Sequence, residues 1–87
     1  MSNKFKVKDR VHVNYRGYIT VISNPELIPI HVGDSIQNGD KSWLIEGVER
    51  WKNMETGKPF PTMGLLTAYE TEGKEIEVVP KDDLDVK

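Results

Sequence analysis

Apolar and polar residues alternate with a period of two along most of this chain, and no stretch sustains a helical period. Phe5, Val7, Val11, Val13 and Tyr15 occupy odd positions with Lys, His and Asn between them. This predicts one strand, or two with a break at Asp9–Arg10. Gly17 to Ser23 predicts a second strand that is apolar on both faces, with Ile19 and Val21 opposed to Tyr18, Thr20 and Ile22. Asn24-Pro25-Glu26 is a turn signal. Alternation then resumes at Ile28, Ile30 and Val32. Pro29 has no N–H to give a ladder, so this strand is expected to be short or to lie at an edge.

The next two dozen residues, IHVGDSIQNGDKSWLIEGVERWKN, carry the densest signals. Gly33-Asp34 ends one strand. Ser35 to Gln37 forms another, running into Asn38-Gly39, a dipeptide suited to the positive φ angles of a two-residue hairpin turn. Trp43 to Trp51 is the returning strand, and its alternation slips at Gly47, which predicts a β-bulge there. Asn53 to Met63, with one glycine and two prolines, reads as an irregular loop. Leu65–Glu70 and Glu75–Val79 complete the set. The expectation is an all-β fold, a small closed barrel of about six mostly antiparallel strands over residues 1–80, followed by a flexible acidic tail at 81–87. Closure protects the edges that a small open sheet would expose. Val11, Val13, Ile19, Val21, Ile30, Ile45, Val48, Leu65 and Ile76 are the expected core.

Composition narrows the function classes. At 87 residues the chain is one small domain, of a size that buries only about 60% of its unfolded surface. A mean hydropathy of -0.54, with no long apolar run, predicts no membrane association through a spanning helix. The basic start, Met-Ser-Asn-Lys-Phe-Lys, has no apolar segment behind it, so the expected location is cytoplasmic. Without cysteine there is neither a disulfide framework nor a thiolate metal site. His12 and His31 each stand between two apolar strand residues and lack a carboxylate at ligand spacing, so no metal is expected. Ser23, Ser35 and Ser42 have no nucleophile-elbow context. The chain is therefore expected to be a non-enzyme without a cofactor.

The net charge of -2 is unevenly spread. Residues 1–20 carry Lys4, Lys6, Lys8, Arg10 and Arg16 against Asp9, whereas residues 67–87 carry seven acids against three lysines. The charges either solvate strand faces or form a basic face for phosphates. A sequence pI near 5.6 argues against strong non-specific nucleic-acid binding.

Arg16-Gly17-x-Ile19, Val32-Gly33-Asp34-x-Ile36, Gly47-Val48-Glu49 and Gly64-Leu65-Leu66 follow one another in an order that resembles the second, β-barrel domain of translational GTPases such as elongation factor Tu. The resemblance spans roughly residues 5–80. It implies a closed six-stranded barrel. It departs from the family in the SNPELIP insertion between the second and third strands, and in EIEVVPKDD, where family members carry an Arg-Gly step. No G-x-x-x-x-G-K-[ST] loop is present, so GTP hydrolysis is not expected. In the resembling barrels the glutamate of the Gly-Val-Glu triplet lines a pocket for the terminal adenosine of aminoacyl-tRNA, and Glu49 holds the matching position. The candidate binding residues are Arg16, Val48, Glu49 and Trp51. Trp51 and Trp43 are also candidate stacking surfaces for a base. Two functions follow: a stand-alone interaction module for a protein partner, or a binder of RNA or a tRNA-like 3′ end through a barrel pocket.

Overall fold

The computed structural model describes residues 3–81. Seven strands form one antiparallel sheet: β1 (Asn3–Val13), β2 (Gly17–Ser23), β3 (Ser35–Asn38), β4 (Lys41–Leu44), β5 (Gly47–Lys52), β6 (Pro59–Thr67) and β7 (Glu75–Val79). Their order across the sheet is β4-β3-β7-β1-β2-β6-β5. The long strand β1 serves both halves, its first residues pairing with β7 and its later ones with β2.

The two edge strands, β4 and β5, are consecutive in the chain and are separated only by Ile45 and Glu46. Three residue steps span at most about 11 Å, whereas seven strands laid flat at about 4.8 Å spacing would separate the edges by roughly 29 Å. The sheet must therefore roll. Hydrogen bonds fix the junction: Gly33 N donates to Ile45 O and Ile45 N to Asp34 O, both at 2.9 Å, and Glu46 N donates to Leu66 O at 2.8 Å. No ladder pairs β4 with β5 among the described residues. The expected single strand Trp43–Trp51 is thus two strands, and the break falls at Ile45–Glu46, just before the Gly47 expected to carry it. The sheet has seven strands rather than about six, and the split offsets the loss of the strand expected at 28–32.

The segment from Ile28 to Val32, expected as a strand, pairs with none. It is held instead by tethers. The buried Asn24 side chain mimics a ladder partner, donating from Nδ2 to Ile28 O and accepting from Ile28 N, both at 2.9 Å. Arg50 Nη2 donates to Ile30 O at 3.2 Å, and Ile30 is buried in the core. Buried Asp34 gathers the far end, where Oδ2 accepts from His31 N at 2.8 Å and Oδ1 from Lys81 N at 2.9 Å. Lys81 N is thus tied down, and the rest of the expected flexible tail lies outside the described residues.

The core consists of Phe5, Ile22, Ile30, Ile36, Ile45, Met63, Leu65, Ile76 and Val78, with Val7, Ile28, Trp43 and Val48 packed against it. Ile30, Ile45, Leu65 and Ile76 lie where expected. Val11, Val13, Ile19 and Val21 do not: Val11 is 45% exposed and the other three are half-buried. Ile19 and Val21 lie on the face of β2 opposite buried Thr20 and Ile22, while for Val11 and Val13 the cause is a register shift between Val7 and Asp9. Val7 faces Ile22 and Asp9 faces Val21, which leaves Lys8 as an extra residue and reverses the faces beyond it. The inner row after the shift is Arg10, Thr20, Leu65 and Val48. Its polar members, Arg10 and Thr20, both bond buried Thr71, the Thr20 and Thr71 hydroxyls 2.6 Å apart and Arg10 Nε donating to Thr71 Oγ1 at 3.0 Å.

The β3–β4 hairpin turns through Gly39 and Asp40, one residue later than expected, with Gly39 at φ 66°. A glycine at the first central position is the mark of a type II′ turn. Lys41 pairs with Glu72, and Asn38 Nδ2 donates to Glu72 O at 2.7 Å. The hydrogen bond to Glu72, and then its charge, hold the Lys41 amine above its ordinary pKa.

The face assignment predicts a contrast in stability. Ile22→Ala should cost about 2–5 kcal/mol, as a fully buried side chain does, while Val11→Ala should cost under about 1 kcal/mol. Urea denaturation measures both, and equal losses would contradict the register shift.

Candidate functional site

Cross-strand register sorts the expected site residues onto different surfaces. Val48 opposes Leu65 on the inner face and packs against the core. Glu49 opposes Gly64 on the outer face, in a row that continues through Val21 to Asp9. Trp51 is 37% exposed, and its ring covers Gly64. A Cβ placed at Gly64 would lie 3.2 Å from Trp51 Cη2 and 2.8 Å from Ile19 Cγ2, so the close approach of these side chains requires glycine there. Glu49 and Trp51 are thus neighbours around Gly64, while Val48 turns away from both.

Arg16 stands apart. It lies in the three-residue turn between β1 and β2, its N–H donating to Val13 O at 3.1 Å. The row of Glu49 crosses β2 at Val21, five residues further on, or roughly 16 Å along the strand at about 3.3 Å per residue. Its neighbours are Tyr15, fully exposed at φ 66°, and the stacked rings of His12 and Tyr18, 4.7 Å apart. Arg16 therefore does not join the other three in one site.

The expected basic face is interleaved with acid. Lys4 lies opposite Glu77 and Lys6 opposite Glu75 in the β1–β7 register, so lysines of β1 and glutamates of β7 lie side by side. Oppositely charged cross-strand neighbours weaken any field that would draw in a phosphate backbone.

One apolar pocket of about 100 Å³ lies beside Trp51. It is lined by Asn24, Leu27, Arg50, Trp51, Pro59, Phe60, Thr62 and Met63. Its walls come from two elements. The first is the turn after β2, in which Leu27 N donates to Asn24 O at 3.0 Å and Leu27 takes a left-handed φ of 54°. That conformation costs a residue with a side chain about 1–2 kcal/mol, and it leaves Leu27 46% exposed beside Trp51. The second is the β5–β6 hairpin. Its loop closes through Asn53, whose N–H donates to Lys58 O at 2.8 Å and whose Oδ1 accepts from Glu55 N at the same distance. The strand therefore resumes at Pro59, inside the stretch 53–63 expected as loop, and carries Phe60 to the pocket with 45% of its surface exposed.

Of the four expected residues only Trp51 lines this pocket. Sequence reasoning missed Leu27, Arg50, Phe60 and Met63. Arg50 sits beside Trp51, and Phe60 lies between two prolines, which were signals of position but not of convergence. Among the described residues, no group of three or more His, Cys, Asp or Glu is placed to hold a metal ion, and no helix is long and apolar enough to cross a membrane. No protein-family model, curated protein or solved structure matches the chain.

The left-handed Leu27 gives a test of this geometry. Leu27→Asn places a residue that tolerates this conformation and should raise stability by about 0.5–1 kcal/mol while removing one pocket wall. A lower denaturation midpoint would contradict the strain.

Proposed function

We propose that this protein is a non-catalytic, cytoplasmic interaction module. Its rolled sheet acts as a barrel of the kind found in the second domain of translational GTPases, and it binds a protein partner through the surface formed by β5, β6 and the Asn24–Leu27 turn. The observation that carries this reading is the convergence of Leu27, Trp51 and Phe60, three substantially exposed apolar side chains, on one concave site. Aromatic anchors around a pocket are the usual energetic centre of a protein interface. The outer rows beside the site add Val11, Ile19, Val21 and Leu66, which extend the apolar surface across β1, β2 and β6.

The alternative, an RNA or tRNA-like 3′ end held at Glu49, draws on the family resemblance of Gly47-Val48-Glu49 and on the exposed ring of Trp51. Two features favour the protein partner over it. Lys4 and Lys6 stand opposite acidic residues, and the pocket falls below the roughly 300 Å³ at which sites for whole small ligands begin.

A photoreactive amino acid in place of Phe60, activated in the producing cell, separates the two. The expected product is a covalent adduct with a protein, lost when Trp51→Ala is added. An adduct that is mainly RNA would contradict the interaction-module reading and favour the nucleotide one.

A further inference from the structure

We infer that the pocket beside Trp51 takes one large apolar side chain from an acidic peptide segment of the partner, and that Arg50 receives a carboxylate next to this anchor. The inference rests on the interaction-module reading and names the chemistry of the partner.

Size selects the anchor. A cavity of about 100 Å³ accommodates a single leucine, methionine or phenylalanine side chain, not a nucleoside. Its walls suit such a group, since Leu27, Trp51, Pro59, Phe60 and Met63 present carbon or sulfur. Single exposed apolar residues are ordinary on protein surfaces. Here three of them share one concavity, and one is held there by a left-handed backbone that the sequence could relieve with asparagine or glycine. Strain of this kind gathers at binding sites.

Charge selects the neighbour of the anchor. Among the described residues, Arg50 is the one charged residue lining the pocket. Its Nη2 donates to Ile30 O at 3.2 Å, which fixes the guanidinium at the rim. A guanidinium carries five N–H donors in a planar fork, so others remain to meet a carboxylate. Of the two uncharged polar walls, Asn24 offers little, because its amide already bonds Ile28 through both its oxygen and its nitrogen, and Thr62 brings a hydroxyl without charge. Lys52 and Lys58 stand on the same hairpin as Arg50, and of the acids near the walls in sequence, Glu26, Glu49 and Glu55, none lines the pocket. A carboxylate beside the anchor therefore gains a direct partner in Arg50, whereas a lysine there meets the guanidinium as a like charge.

The test is an NMR titration of the isotope-labelled protein with three capped hexapeptides. One carries a central leucine flanked by aspartates, one the same leucine flanked by lysines, and one a serine in place of the leucine of the first. The aspartate–leucine peptide should shift the signals of Leu27, Arg50, Phe60 and the Trp51 indole, with a dissociation constant of roughly 0.1–1 mM for a single-anchor site. The lysine version should bind at least about five-fold more weakly, and the serine version should leave the pocket signals in place. Arg50→Gln should weaken the aspartate peptide by about five- to ten-fold. Should that variant unfold through loss of its bond to Ile30, Phe60→Ser removes a wall without touching the tether and should abolish the shifts. Equal affinity for the aspartate and lysine peptides, or shifts centred on Val11 and Leu66 or on Tyr15, would overturn the inference. Silence from all three peptides alongside a protein adduct at Phe60 would overturn the partner chemistry and leave the interaction module standing, whereas silence with no protein adduct would overturn both.

Discussion

The two-residue link between β4 and β5 is the constraint on which the rest of this structure depends. Ile45 and Glu46 join strands at opposite edges of a seven-stranded sheet, so the sheet rolls until Ile45 reaches Gly33 and Asp34 while Glu46 reaches Leu66. Rolling encloses Ile30, Ile36, Ile45 and Ile76 in one interior, an enclosure that a flat sheet of four- to eleven-residue strands could not provide. It also brings β5 within reach of the Ile28–Val32 segment, where Arg50 bonds Ile30. The pocket beside Trp51 is a product of this meeting, since one of its walls belongs to the turn after β2 and the other to the hairpin beyond the link.

Apolar residues on both faces of β2 and β6 acquire a meaning from the same geometry. Ile22, Met63 and Leu65 fill the interior, whereas Ile19, Val21 and Leu66 look outward. A solvated outer face would ordinarily be polar in an antiparallel sheet. The outward row of Ile19, Val21 and Leu66 departs from that pattern beside Trp51, and inward Arg10 and Thr20, both bonded to Thr71, show the same parity.

Local signals made much of the fold legible. Alternation located β1, β2 and β7, and turn chemistry located the β3–β4 hairpin, because both depend on residues within a few positions of one another. What the sequence concealed was set by distant contacts. The extra residue at Lys8 reverses the faces of β1, yet nothing within KVKDRV distinguishes a bulge from a loop break. Trp43 to Trp51 reads as one strand with a slip at Gly47, and only the partners of Ile45 and Glu46 divide it. Ile28 to Val32 has a strand pattern but finds side chains, Asn24 and Arg50, where a strand would find a ladder. The site shared this fate: Trp51 was visible as an aromatic on a strand, whereas Leu27 and Phe60 became wall residues only through a turn and a hairpin that meet in space. Arg16 and Glu49 were drawn together by motif order, and strand register separates them.

Hydroxyl-radical footprinting tests the central claim most directly, by comparing the purified protein with the protein in its native cell extract. The account predicts that Trp51, Phe60 and Leu27 lose reactivity in the extract while Tyr15 and Tyr69, exposed at other positions, keep theirs. Unchanged reactivity at Trp51 and Phe60, with protection at Tyr15 and Tyr69 instead, would place the partner elsewhere and contradict it.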